Sequence, residues 1–111
     1  MKLSAKAKIA REKVTGYLLV RQVRSDKSGF LAGGGFTLHN PDALIAELGV
    51  LRSANEANQV NDNKFGRYYE VSGVLRGPLG VGLRVKTIWM IEHLSGDTKF
   101  VTLIPIEILS P

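Results

Sequence analysis

The sequence predicts an α+β fold, with N-terminal helices packed on one face of a small antiparallel meander sheet of three to four strands. Three observations predict it. Residues 65–105 are punctuated by turn signals that divide apolar alternations. Asn40-Pro41-Asp42 opens a run with apolar residues at helical spacing. The helical signals come first and the strand signals follow, which is α+β order.

The hairpin around Gly77-Pro78-Leu79-Gly80 carries the most information. Pro78 presets φ for a type I turn, and Gly80 accepts the left-handed conformation that follows it. A symmetric four-residue loop would pair Val71 with Lys86 and mix core with charge. A three-residue loop, Pro78 to Gly80, sets Leu75 opposite Leu83 and Tyr69 opposite Trp89. A one-residue slip reverses every side chain, so the three-residue loop is the consistent register. Tyr69, Val71, Gly73, Leu75, Leu83, Val85, Thr87, Trp89 and Ile91 then share the core face. Tyr68, Glu70, Ser72, Val74, Arg76, Arg84, Lys86, Ile88, Met90 and Glu92 share the other.

Leu94-Ser95-Gly96-Asp97 is a second turn, and Lys99 to Ile104 is an apolar, β-branched run. Its continuous apolarity predicts a strand buried on both faces or covered by a helix. Pairing should weaken at Pro105, which has no N–H to donate. Asn61-Asp62-Asn63 reads as a polar turn before the sheet. Upstream, Val14, Tyr17, Leu18 and Leu19 form an apolar stripe at helical spacing. Ser25-Asp26 caps a short helix through Phe30 and Leu31, which Gly33-Gly34-Gly35 stops while letting the chain turn closely against the sheet. The helix from Pro41 presents Leu44, Ile45, Leu48 and Leu51, and should end near Asn55.

Composition bounds the function. A chain of 111 residues suits one domain. It has no cysteine, which excludes disulfides, thiol catalysis and thiolate zinc sites. No apolar run is long enough to span a bilayer, so a cytoplasmic protein without membrane contact is expected. The net charge is +5. Residues 1–27 hold eight basic and two acidic residues, a balance of +6, and the remainder holds seven and eight, a balance of −1. Residues 1–12 are therefore read as a basic leader and 13–111 as a single α+β domain. Such a segment attracts polyanions.

The residues also suggest a family. Lys13-Val14-Thr15-Gly16-Tyr17-Leu18-Leu19, Phe65-Gly66-Arg67-Tyr68 and Gly73 to Pro78 resemble a small bacterial domain family of unknown function, as do Thr87-Ile88-Trp89-Met90-Ile91 and Val101 to Pro105. The resemblance covers roughly residues 13–106. Its members look like the barnase–EndoU–colicin–RelE group of ribonuclease toxins, a fold-level analogy. The family pattern has Asn-Pro and His-Pro after Tyr-Leu-Leu, whereas this chain has Val20-Arg21-Gln22-Val23-Arg24, so a histidine in that loop is absent.

That resemblance implies an RNA-directed domain with an endoribonuclease-like toxin fold. Cleavage through the 2′-hydroxyl needs a base, an acid and a cation for the phosphorane charge. Lys13, Lys27, Arg67, Arg84 and Lys86 are candidate phosphate contacts, and Tyr68 is a candidate stacking residue. Against this, Glu70 could simply offset Lys86 diagonally across the ladder. Nothing in the sequence brings His39 and His93 together, and both read as surface or turn residues. Thr87 and Thr102 fall at core positions, where their hydroxyls need partners. No catalytic residue, metal site or cofactor is assigned. The expected partner is RNA or another polyanion. The alternative is a non-catalytic protein-interaction or self-association module, bound to a protein partner or to its own copy.

Overall fold

The computed structural model describes residues 1–109. The chain forms α1 (Arg11–Lys13), which runs on as a π-helical turn (Val14–Leu18), then α2 (Ser28–Gly33) and α3 (Pro41–Ala54). Four strands follow: β1 (Asn58–Asp62), β2 (Gly66–Arg76), β3 (Gly82–Glu92) and β4 (Thr98–Ile108). They form one antiparallel meander in the order β1-β2-β3-β4. The architecture is the predicted α+β arrangement.

The β2–β3 hairpin adopts the three-residue loop. Leu75 pairs with Leu83, Val71 with Thr87 and Tyr69 with Trp89. Gly77 N donates to Val81 O at 3.1 Å and Gly80 N to Gly77 O at 3.0 Å, with Gly80 at φ 78°. The register turns Val71, Leu75, Leu83, Val85 and Trp89 onto the core, where Leu44, Leu48 and Leu51 of α3 meet them. Val14 and Leu18 of the π-helical turn, Leu31 of α2 and Phe36 complete the core. Trp89 and Phe100 meet edge to face, with ring centroids 5.2 Å apart.

The buried polar atoms form a relay. Trp89 Nε1–H donates to Thr87 Oγ1 at 2.8 Å, and Thr87 Oγ1–H donates to Val71 O at 2.7 Å. The Thr87 hydroxyl has the partners its position requires. Thr102 differs from its expected place: it is half-buried at the outer edge of β4, not in the core. The cause is a register shift between Ile88 and Trp89, whose partners are Thr102 and Phe100, leaving Val101 unpaired. Beyond this bulge Leu103 is buried in place of Thr102.

Other expectations change as well. β4 is covered on one face only, because Ile104, Ile106 and Ile108 are exposed. Pairing continues past Pro105 after a shift between Arg84 and Val85. Asn61 and Asp62 belong to β1, and the turn begins at Asn63, whose Oδ1 accepts from the N–H groups of Phe65 and Gly66. Asn40 precedes α3 as expected, yet its side chain bonds backward, to Thr37 N and Gly35 O. Residues 1–12 make contacts with the helices and the sheet. Leu3 is buried, Arg52 donates to the carbonyls of Leu3 and Ser4, and Lys8 bridges Lys99 on β4. No helix among the described residues is long and apolar enough to cross a membrane.

The glycine run presses against the hairpin loop. A Cβ on Gly77 would lie 1.7 Å from Gly34 O, so any side chain there forces the two loops apart. In α3, a Cβ on Gly49 would meet nothing within 4 Å. Denaturant unfolding should therefore show Gly77→Ala losing more than about 2 kcal/mol and Gly49→Ala gaining about 0.5–1 kcal/mol. Thr87→Val keeps the shape but leaves the Trp89 N–H buried without an acceptor. The same measurement should show a loss of about 1–3 kcal/mol.

Candidate anion-binding site

The six candidate residues fall into four places. Arg84 and Lys86 share the open face of the sheet and line a cleft of about 510 Å³ with Ser72, Val74 and Ile106. Their charges are answered. Arg84 Nε lies 2.8 Å from Glu107 Oε1, and Lys86 Nζ lies 3.7 Å from Glu70 Oε1, one step diagonally across the ladder. Tyr68 is on the same face but lines a separate hollow with Lys64, Phe65, Met90, Glu92 and Leu94. Arg67 shares strand parity with Tyr69 and is exposed near the start of β2. It therefore sits on the opposite face from Tyr68.

Lys13 and Lys27 do come together. They line a pocket of about 410 Å³ with Tyr17, Val101 and Thr102. The π-helical turn supplies Tyr17, and its wide hydrogen bond runs from Leu19 N to Val14 O at 3.0 Å. Lys13 and Tyr17 are four residues apart and so share one side of this helix. Lys13 Nζ donates to Val101 O at 2.9 Å. Lys27 Nζ donates to Thr102 Oγ1 at 2.7 Å and reaches the Tyr17 hydroxyl at 3.4 Å. It also lies 5.2 Å from the centroid of the Tyr17 ring.

The donor inventory defines what this pocket can hold. An ammonium carries three N–H groups and no acceptor. Lys13 has one of its three engaged, and Lys27 has two. The Thr102 oxygen accepts from Lys27, so its own proton points elsewhere. Its nearest protein acceptor is Leu103 O, 3.5 Å away, at the limit of bonding range. The Tyr17 hydroxyl proton is likewise free once its oxygen accepts. Among the described residues neither lysine is ion-paired with a carboxylate. Two ammonium groups and two hydroxyls thus line the pocket, and the Val101 carbonyl accepts from Lys13. Such a lining suits an oxyanion.

Sequence reasoning identified Lys13 and Lys27 but missed Tyr17, assigned to an apolar stripe, and Thr102, assigned to the core. No local signal links residues 13, 17 and 27 to 101 and 102. The histidines are apart from the pocket. His39 is exposed before α3, and His93 Nε2 lies 2.9 Å from both Asp62 Oδ1 and Asn63 O. Among the described residues no cluster of His, Cys, Asp or Glu is placed to hold a metal.

Lys27 is positioned by a tight loop. Asp26 Oδ1 accepts from Gln22 N at 2.9 Å and Ser28 Oγ at 2.8 Å, and more weakly from Ser28 N. Ser25 sits in the left-handed region at φ 53°, a conformation that costs about 1 kcal/mol and is held by these flanking bonds. The Gln22 N–H, followed by the Ser28 hydroxyl, holds the Asp26 carboxyl below its ordinary value. A lowered acid stabilises the folded loop above its unfolded pKa, and that contribution is lost as pH falls through the folded value. An NMR titration should show the Gln22 and Ser28 amide resonances moving together with a midpoint below 3.8. Asp26→Asn should abolish that titration.

No curated protein matches the chain. A chain of the contact-dependent growth inhibition toxin–immunity protein complex from Klebsiella pneumoniae 342 is similar in fold, with a TM-score of 0.62. The two are 17% identical, and the alignment covers 93% of this chain and 96% of that one. At that identity the likeness is one of fold. The model of the family described as "Domain of unknown function (DUF6883)" spans residues 2–107, and the chain belongs to that family.

Proposed function

We propose that this is an RNA-directed domain with an endoribonuclease-like toxin fold, and that it grips a phosphodiester in the Lys13–Lys27 pocket. One observation carries the reading: two ammonium groups with no carboxylate partner among the described residues converge with the Tyr17 and Thr102 hydroxyls. A non-bridging phosphate oxygen needs those donors. Charge developing on a phosphorane would be stabilised by the same two lysines. The excess charge of residues 1–27 favours approach of a polyanion. The fold likeness to a chain of a toxin–immunity complex supports a toxin-type role.

A specific observation favours a second reading, a protein-interaction module. Ile104, Ile106 and Ile108 are 43%, 47% and 53% exposed on β4. Ile106 adjoins Val74 on the open face. A structure solved as a toxin–immunity complex fits a protein partner as well.

Binding of labelled RNA over a salt series separates the readings. RNA binding with a steep salt slope is expected. Lys13→Ala/Lys27→Ala should weaken it and reduce the slope by about 2. Arg84→Ala/Lys86→Ala should have the smaller effect, because Glu107 and Glu70 already answer those charges. Absence of binding at low salt, with a mass by light scattering that rises with concentration, would favour the second reading.

A further inference from the structure

We infer that the pocket takes single-stranded RNA, with an unpaired base stacked on the Tyr17 ring beside the phosphate held by Lys13 and Lys27. This rests on the RNA-directed reading above and adds the class of RNA. Tyr17 is 36% exposed although it borders a pocket lined by half-buried residues. Lys27 lies over the ring, 5.2 Å from its centroid. The same ammonium is 3.4 Å from the Tyr17 hydroxyl, so the cation sits toward the hydroxyl end of the ring. An aromatic ring next to a cation is the pairing that receives nucleobases in single-stranded sites, where every base offers a π-face.

The anchoring of the two cations also favours a single strand. Lys13 and Lys27 are half-buried, held down by Val101 O and Thr102 Oγ1 at the edge of β4. A base within a duplex is stacked and paired, and reaches such a pocket only after extrusion, at an energetic cost. A single strand presents base and phosphate together. The pocket volume, about 410 Å³, falls within the range of small-ligand sites. Tyr68, the aromatic residue that strand alternation singles out, lines a different hollow and is not part of this site.

The test uses the full chain and two probes of equal length: a single-stranded RNA carrying 2-aminopurine, and the corresponding duplex. The wild type should bind the single strand at least about ten-fold more tightly than the duplex and change the 2-aminopurine emission. Tyr17→Ala should lose about ten-fold in single-strand affinity and bring it close to that of the duplex. Tyr17→Phe, which keeps the ring, should retain the preference. Equal binding of both probes, unchanged in Tyr17→Ala but weakened in Lys13→Ala/Lys27→Ala, would overturn the stacking inference and leave the RNA-directed reading standing. No binding of either probe by the wild type at low salt would overturn both. If Tyr17→Ala does not fold, Tyr17→Leu makes the same comparison without a π-face, and an unchanged single-strand preference in it would overturn the stacking inference.

Discussion

The register of the β2–β3 hairpin is the constraint on which the rest of the structure depends. The loop from Pro78 to Gly80 fixes the pairing of Tyr69 with Trp89, and with it the face each residue of two eleven-residue strands presents. Trp89 is fully buried only because Thr87, two residues away on the same face, supplies an acceptor for its N–H. A shift by one residue would leave the indole in water and drive Arg84 and Lys86 beneath the helices, at the cost of desolvating two charges. Gly34 packs against Gly77 at the base of that loop. The helical layer is thereby locked to the sheet at the point that sets the register.

The same register separates cations with partners from cations without them. On the open face, Arg84 and Lys86 stand across from Glu107 and Glu70, and such exposed pairs contribute little to stability. At the margin of the sheet the balance differs. Lys13 and Lys27 bond only to neutral oxygens, so their charge is solvated and offset by no carboxylate among the described residues. Both line the same pocket, so its charge balance is positive.

Much of the fold was legible in the sequence because it rests on local rules. The turn residues at Pro78 and Gly80, Pro41 at the first position of α3, and the alternation from Tyr69 to Trp89 each report on neighbours a few residues away. What could not be read depends on distant partners. β1 is polar at every position but Val60, so no alternation marks it, and it pairs because β2 offers an edge. The bulge at Val101 reverses the parity of the chain after Phe100, which moves Thr102 out of the core and toward Lys27. The site is assembled from residues 75 to 88 positions apart, beyond the reach of any local pattern. Of the six candidates, two were brought together in it. The others were chosen for charge or ring type, and the sheet distributes them over both faces.

The borders of the sheet carry a consequence for assembly. On one side, Lys8 occupies the backbone groups around Thr98 and Phe100, Lys13 saturates the Val101 carbonyl, and Pro105 removes a donor further along. On the other, β1 is five residues long, wholly polar except for Val60, and broken by a shift between Gln59 and Asn61. Neither border offers a long, regular template, so docking of a foreign strand by main-chain zippering is disfavoured at both. Such borders favour recognition through side chains on a surface, and they check growth of the sheet from molecule to molecule.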